Sequence, residues 1–556
     1  MAFVQSGPDL ANQYTDDRVL RGFLARTLPA LVRAAIESDL EALGAHAASA
    51  WRTARSRKAS EPSLTQWDAW GERIDRIEVT PAWRDGAALT ARYGLVAAGH
   101  DLKHGEFARI DQFARVYLYH VASEFYTCPL AMSDGAATAL KASGNRALIE
   151  RAMPHLLARD ATKLWLSGQW MTETRGGSDV SATETSARKG EDGCWRLSGR
   201  KWFTSAVVGE MALTLARPEG SGEGADALAL FYVETRSADG RWNGVRIDRL
   251  KDKLGTRELP TAEIHLEDTL AEPVGELAHG VKLIAPVLNV TRTWNTICAL
   301  ATMRRAIALA TAYARKREAF GGPLIERPLH AATLASMQAE FEAAFELGFF
   351  VASLLGRVEV HRASNDERAL LRLLTPLAKL WTGRLAVRIA SEACEAFGGA
   401  GYIENTGLPL LLRDAQVYPI WEGTTNVLAL DVLRGLAQSG IDPLRIGVQD
   451  LLREAPAHAG AIDAALSHAA RFLHEREGDR GALEAAARGL ALTLARTVAA
   501  ALLARRAAKS AKPDRALAEA TLALFLDHGL SRLPTADATH AARRVAEGLT
   551  APAQSP

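Results

Sequence analysis

Cysteine is scarce in this chain. Its 556 residues hold four, Cys128, Cys194, Cys298 and Cys394, with no C-x-x-C pair among them. Such spacing builds neither a zinc site nor a disulfide framework and fits a reducing compartment. An excess of one charge is lacking too: 66 basic residues stand against 65 acidic ones, so any affinity for nucleic acid must be local. The longest apolar run, Gly489 to Leu503, is short of a membrane span and carries Arg496. No basic start followed by an apolar core opens the chain, which argues against a signal peptide; a cytoplasmic protein with no membrane partner is expected. No G-x-G-x-x-G follows a strand, and neither G-x-x-x-x-G-K-[ST] nor H-E-x-x-H occurs. A Rossmann nucleotide site, a P-loop ATPase and a zinc protease are therefore poor fits, and no metal is expected.

What is present is length and apolar content. An apolar fraction of 48% and a charged fraction of 24% over 556 residues fit a soluble globular protein of two to four domains. From about Arg18 to Leu164 apolar residues recur at helical spacing, interrupted by the polar stretch Arg55 to Arg76 and a Pro81-Ala82-Trp83 turn. Between Ser167 and Glu276 short alternating segments separated by Gly and Pro turns predict a compact antiparallel barrel or sandwich. Long helical patterns return from about Gly280 to Leu436 and predict an antiparallel bundle, and further helices follow to about Gly548. The expected domains are 1–165 helical, 166–278 β, 279–440 helical bundle and 441–548 helical, with a disordered tail over 549–556.

The chain is organised around Ala396 to Arg434, where a glycine cluster (Gly398, Gly399, Gly401) precedes Arg413-Asp414 and then Trp421-Glu422-Gly423-Thr424-Thr425. Glu422 is a lone carboxylate beside Tyr418, Pro419, Ile420 and Trp421, followed by a glycine that lets a ligand approach the backbone. Apolar surroundings raise a carboxylate's proton affinity, as a general base requires. The structural alternative is that Glu422 merely starts the next helix, where an acid favours the dipole.

Three other stretches carry chemistry. Met171 to Val180, MTETRGGSDV, is a glycine loop whose amides and hydroxyls suit a flavin edge or pyrophosphate, or simply make a polar turn. In Gly199 to Ser205, GRKWFTS, strand alternation sends Trp202 and Thr204 to one face, toward a flat ligand or a sheet core. Tyr313 to Leu324 ends a helix with cations that serve its dipole, and Arg317 also has the fork a diphosphate needs.

Taken in order, MTETRGGSDV, GRKWFTSA, YARKREAFGGPL, FGGAGY, LLRDAQVYPI and WEGTTN resemble the acyl-CoA dehydrogenase family. The resemblance spans about Met1 to Leu436. It implies a mostly α fold with a central β domain: an N-terminal helical domain, an antiparallel β-barrel and a four-helix bundle, here followed by a C-terminal helical domain. It also implies FAD and the oxidation of an acyl-CoA thioester to enoyl-CoA. Glu422 would take the α-proton while the β-hydrogen passes as hydride to flavin N5. By the same resemblance Met171, Thr172 and Ser178 would contact the flavin and pyrophosphate, Trp202 would stack on the isoalloxazine, and Thr204 would sit beside N5. Thr424 would add a flavin contact and Arg292 a substrate contact. Arg317, Phe320 and Gly399 would reach the pyrophosphate and adenosine side, the first two in a neighbouring subunit, which implies a homotetramer built as a dimer of dimers.

Some members place the base immediately before a bundle arginine; here that pair is Thr291-Arg292, so Glu422 has no rival. The chain departs from the usual pattern at Glu395, where a glutamine is common, and at Asn289, where an acid is. It is most similar to the AidB-type branch of alkylation-response flavoproteins, through P-A-W, C-P at Cys128-Pro129, R-L-K-D-K-L-G-x-R at Arg249 to Arg257, M-R-R-A at Met303 to Ala306 and the long C-terminal extension. That branch suggests an alternative, a protein that binds double-stranded DNA. No acid lies between Glu484 and Asp514, while Arg488, Arg496, Arg505, Arg506, Lys509 and Lys512 do. Arg505, Lys509 and Lys512 fall at helical spacing, a stripe that could meet phosphates or be a solvated face.

Overall fold

The computed structural model describes residues 6–54 and 61–550. Helices form where apolar residues recur at three- and four-residue spacing. α1 (Arg18–Thr27) begins at Asp17, whose carboxylate accepts from the Val19 and Leu20 amides. α2 (Ala30–Ala54) follows. The described part of the polar stretch after it is a hairpin, β1 (Ser63–Trp67) and β2 (Arg73–Glu78). The hairpin leans on the barrel: Gln66 and Arg73 donate to the Ile247 carbonyl at 3.0 and 2.6 Å, and Asp75 accepts the Ile247 amide at 3.0 Å. α3 (Pro81–Tyr93) starts on Thr80 and ends at left-handed Gly94; α4 (Ala108–His120), α5 (Thr127–Ser143) and α6 (Arg146–Leu156) complete the N-terminal helices.

Seven strands then build the sheet: β3 (Ser167–Trp170), β4 (Ser186–Lys189), β5 (Trp195–Ser205), β6 (Met211–Pro218), β7 (Ala229–Glu234), β8 (Val245–Leu250) and β9 (Thr261–Pro273). The path β6-β4-β5-β9-β7 returns to β6 and closes a barrel. The expected antiparallel order needs one correction. β3 and β4 both pair with β6 in parallel, at Ser167↔Met211 and Ser186↔Arg217. The chain leaves that edge of β6 after β3 and rejoins it in the same direction, so the glycine loop after Trp170 is an excursion between two strands on one edge.

β6 and β7 are buried on both faces. Met211, Leu213, Leu215, Leu230 and Tyr232 join a core with Leu140, Met153, Ile284 and Val287 of the helices. Ala212, Ala216, Ala229, Phe231 and Val233 alternate into the other core, with Trp170, Ile247 and Ile264.

α7 (Gly280–Lys316) follows the barrel, then α8 (Pro328–Glu359), α9 (Asn365–Ala396) and α10 (Leu408–Ala415). The remaining helices are α11 (Thr425–Ser439), α12 (Asp442–Arg453), α13 (Ala459–Glu475), α14 (Arg480–Lys509), α15 (Lys512–Asp527) and α16 (Ala536–Thr550). α7 and α14 are long and apolar enough to cross a membrane, but 83% of the apolar window of each is buried in the protein. By compactness the chain forms two units, Met1–Ile325 with Ala386–Tyr418, and Glu326–Leu385 with Pro419–Pro556. Of the expected tail, Leu549 and Thr550 end α16, and residues 551–556 lie outside the described residues.

Candidate active site

In the first unit the glycine loop is tied down from within. The Glu173 and Gly176 amides each donate to the other's carbonyl at 3.1 Å, making a tight turn. Glu173 is buried and accepts from Lys201 Nζ at 2.7 Å, from Thr185 Oγ1 at 2.5 Å and from the Glu184 amide at 2.6 Å. Lys201, fully buried on β5, also donates to the Leu215 carbonyl at 2.9 Å. Burial alone would raise the Glu173 carboxyl, but the Lys201 ammonium and these donors hold it below the usual range. With this anchor inside, Thr172 is half-buried and Ser178 exposed, and Met171 packs into the helix-side core. A Cβ on Gly177 would stand 2.7 Å from Thr172 Oγ1, so only glycine lets the loop fold over that hydroxyl.

The loop meets β5 directly, since the Trp202 amide donates to the Thr172 carbonyl at 2.9 Å. The simple alternation expected for Trp202 and Thr204 is interrupted by a bulge: Lys201 pairs with Ile264 and Thr204 with Ala262, three steps against two. Trp202 is therefore half-buried and Phe203 exposed, while Thr204 is buried with its hydroxyl donating to the Ala262 carbonyl at 2.7 Å. Lys251 Nζ lies 3.4 Å from the centroid of Trp202 and 4.4 Å from that of Phe203.

The residues expected on the pyrophosphate and adenosine side are presented by tight turns. Phe320 and Gly321, both at positive φ (53° and 83°), form the tip of the two-residue hairpin closed by Glu318–Ala319 and Gly322–Pro323. The Phe320 ring is 90% exposed on this strained backbone. Arg317 caps α7, its amide donating to the Tyr313 carbonyl at 2.8 Å. A Cβ on Gly399 would meet nothing within 4 Å, so its backbone is open, whereas one on Gly401 would stand 1.9 Å from the Cys394 carbonyl and serves packing.

Arg292 is buried on α7. Two residues on, Trp294 Nε1 donates to Asp134 at 2.7 Å, and Asp134 also accepts from Arg109, His100 and Gln112. This hub locks α7 to α4 and α5. Burial alone would raise the Asp134 carboxyl, but the Arg109 guanidinium and His100 hold it well below the usual range.

In the second unit Glu422 is half-buried and adopts φ +57°, with Gly423 at +103°. Left-handed backbone costs a glutamate about 1–2 kcal/mol, so the surroundings impose it. The helix-start alternative fails on geometry. The N-cap of α11 is Thr424, whose hydroxyl accepts from the Val427 amide at 3.4 Å, and Glu422 lies two residues outside it. Lys379, buried on α9, donates to the Gly423 carbonyl at 2.6 Å and fixes the turn.

The C-terminal cations correct an expectation. Arg496, 3% exposed, donates to Glu340 at 2.7 and 3.0 Å and to the Gly529 carbonyl at 2.9 Å. Arg506 is buried against Glu342. Both are counterions for carboxylates that α8 buries, so neither can meet a phosphate. Arg505 is half-buried near Phe350, and Lys509 pairs with Glu454 at 2.5 Å. Lys512 is exposed but begins α15, because α14 ends at Lys509 ahead of Pro513; the single-helix stripe does not form.

Sequence reasoning passed over the residues that hold the motifs in place: Glu173, Lys201, Lys251 and Lys379. The first two lie inside the MTETRGGSDV and GRKWFTSA motifs, an acid in the glycine loop and a base on β5, and nothing in the local pattern marks them as buried; Lys379 stands in an apolar helical run. Asp414 is assigned no role by the sequence. It accepts the Thr256 amide at 2.6 Å, and burial, with Glu258 nearby, pushes its carboxyl up to about 7.

Three family models match in chain order: the Adaptive response protein AidB N-terminal domain over residues 8–161, the acyl-CoA dehydrogenase middle domain over 168–269, and the acyl-CoA dehydrogenase C-terminal domain over 278–437. Acyl-CoA dehydrogenase family member 11 of Caenorhabditis elegans is 43% identical over 442 residues, 78% of this chain and 72% of that protein. AidB of Escherichia coli K12 is 34% identical over 432 residues, 76% of each. The crystal structure of Caenorhabditis elegans ACDH-11 in complex with C11-CoA matches with a TM-score of 0.93 at 36% identity, over 100% of this chain and 97% of that one. With its motifs in family order and its fold matched by a relative of this identity, the chain belongs to the acyl-CoA dehydrogenase family.

Proposed function

We propose that this protein is an FAD-dependent acyl-CoA dehydrogenase in which Glu422 is the base. The observation that carries the reading is the backbone of Glu422: a non-glycine residue at φ +57°, outside the helix it precedes, on a turn fixed by buried Lys379. Strain of this kind persists where a side chain must be aimed. Glu422 takes the α-proton of the thioester, and loss of the β-hydrogen leaves the enoyl-CoA. When bound, FAD supplies the acceptor for that hydrogen, which departs with its electron pair.

The first unit offers a donor set that fits FAD. Thr172 and Ser178 hydroxyls stand on a glycine loop with a rigid inner anchor, the half-exposed indole of Trp202 adjoins them, and Gly399 presents open backbone. An open polar cleft of about 860 Å³ beside the loop is lined by Arg175, Arg188 and Arg217 together with Glu184, Glu219 and Glu223, a charge-balanced lining. The relative solved with C11-CoA supports an acyl-CoA as substrate. The proposal includes a cytoplasmic homotetramer in which Arg317 and Phe320 reach the FAD of a neighbouring subunit; Phe320, 90% exposed at its hairpin tip, is accessible for such a contact. Binding to double-stranded DNA is not favoured, because Arg496 and Arg506 neutralise buried carboxylates.

The test is Glu422→Gln. The variant keeps its FAD and its melting temperature but no longer bleaches the flavin when mixed with short- or medium-chain acyl-CoA. Unchanged bleaching overturns the reading.

A further inference from the structure

The indole of Trp202 carries an ammonium on its face. Lys251 Nζ is 3.4 Å from the ring centroid, closer than any in-plane approach to an indole allows, so the cation stands over the π-surface. The Lys251 side chain is only 10% exposed, and a desolvated ammonium needs a counter-charge. Glu263, 1% exposed, accepts from it at 2.7 Å. That carboxylate is shared: Arg249 donates to it at 2.9 Å through Nε, and Arg200 Nη2 at 2.8 Å. Arg200 Cζ is also 5.0 Å from the Trp202 centroid, and its second acid, Asp248, is 3.6 Å away. Three cations converge on Glu263, while Asp248 also faces Arg246 at 3.6 Å, and the two cations nearest the indole, Lys251 and Arg200, place positive charge beside it. Ordinary strand packing does not require this, since an aliphatic residue at 251 would cover the ring at less desolvation cost.

We propose that Lys251, oriented by Glu263, is a positioning residue for Trp202 and that its charge favours the reduced form of the flavin bound beside that indole. The inference rests on the reading of Trp202 as the flavin platform. Two-electron reduction places negative charge on the ring system, and a fixed cation in a water-poor site stabilises that charge more than a solvated one does. Lys251 thereby raises the potential, and Glu263 keeps the ammonium from swinging into water.

The experiment uses the full-length holoprotein and measures the flavin potential by equilibration with a redox dye, alongside FAD content. Two neutral variants are compared, Lys251→Met and Lys251→Gln, the second retaining a polar contact to Glu263 should the first fold poorly; Lys251→Arg keeps the charge. Both neutral variants are expected to lower the reduced-to-oxidised ratio at fixed dye potential about tenfold, ~30 mV for a two-electron couple, while Lys251→Arg stays close to the parent. Neutral variants within twofold of the parent overturn the proposal, as does an arginine variant that shifts as far as they do. Trp202→Ala distinguishes the place of the flavin from the role of Lys251. If it leaves FAD content, flavin spectrum and potential unchanged, the flavin is not at Trp202 and the platform reading falls together with the proposal. If Trp202→Ala changes them and the neutral Lys251 variants do not, the role of Lys251 alone is overturned.

Discussion

Lys379 Nζ donates to the carbonyl of Gly423 at 2.6 Å, a contact that helps hold Glu422 in a backbone conformation that glutamate avoids. Lys379 is buried, so its ammonium must be used. By gripping the peptide after Glu422, it fixes the two consecutive positive φ values that turn the chain ahead of Thr424.

Glu422→Gly relieves this strain. The variant is expected to melt higher than the parent, by about 1 kcal/mol of added stability, while turnover of acyl-CoA disappears. Thermal denaturation beside flavin-bleaching kinetics checks both halves. A loss of stability would show that the Glu422 side chain contributes more to the fold than its backbone costs.

Lys201→Met leaves Glu173 buried without its cation, which costs about 3–5 kcal/mol and loosens the loop that bears Thr172 and Ser178. FAD content in the purified protein falls, and the double variant with Glu173→Gln recovers part of the stability. Because Lys201 and its companions hold the Glu173 carboxyl below the ordinary 4.5, this contribution is complete above that value and is lost as pH falls through the lowered folded value. Urea titrations at pH 7 and pH 4 read the difference, and the Glu173→Gln variant loses less stability between them than the parent.

Asp414 behaves in the opposite sense. Burial raises its carboxyl from 3.8 to about 7, so the fold favours the protonated form. Its contribution is complete below the unfolded value and is lost as pH rises through about 7. Asp414→Asn keeps an acceptor for the Thr256 amide, and it is expected to raise the melting temperature at pH 8 more than at pH 5. Equal shifts at the two pH values would contradict the buried, proton-favouring environment.

Arg496→Ala takes the bidentate guanidinium from buried Glu340, which keeps the His528 ring at 2.9 Å, and is expected to destabilise the second unit by about 3 kcal/mol. Lys512→Ala, at an exposed helix start, changes stability by less than about 0.5 kcal/mol. Chemical denaturation of the two variants separates a structural arginine from a surface lysine. Near-neutral behaviour of Arg496→Ala would contradict the buried pairing.

Much of this protein was legible in its residues because the signals are local. Helical spacing located the N-terminal and C-terminal helices, and the switch to alternation with Gly and Pro turns located the barrel. WEGTT, read with the other family motifs, marked Glu422 as the candidate base. Less legible was anything that depends on a partner distant in sequence. The bulge at Trp202 and Phe203 arises from the register between β5 and β9, so alternation misjudged the side-chain directions there. β3 and β4 share an edge of β6 in parallel, which no local pattern encodes. Arg496 and Arg506 read as a cationic stripe because Glu340 and Glu342, which neutralise them, lie more than 150 residues away.

The sequence alone therefore determined the order of elements, the family motifs and the identity of Glu422 as the candidate base, since periodicity, turn chemistry and residue type are properties of short stretches. Only the tertiary structure decided which charges face inward. Burial makes an ion pair obligatory, and its partners (Lys201 with Glu173, Lys251 with Glu263, Arg496 with Glu340) are chosen by packing rather than by sequence neighbourhood.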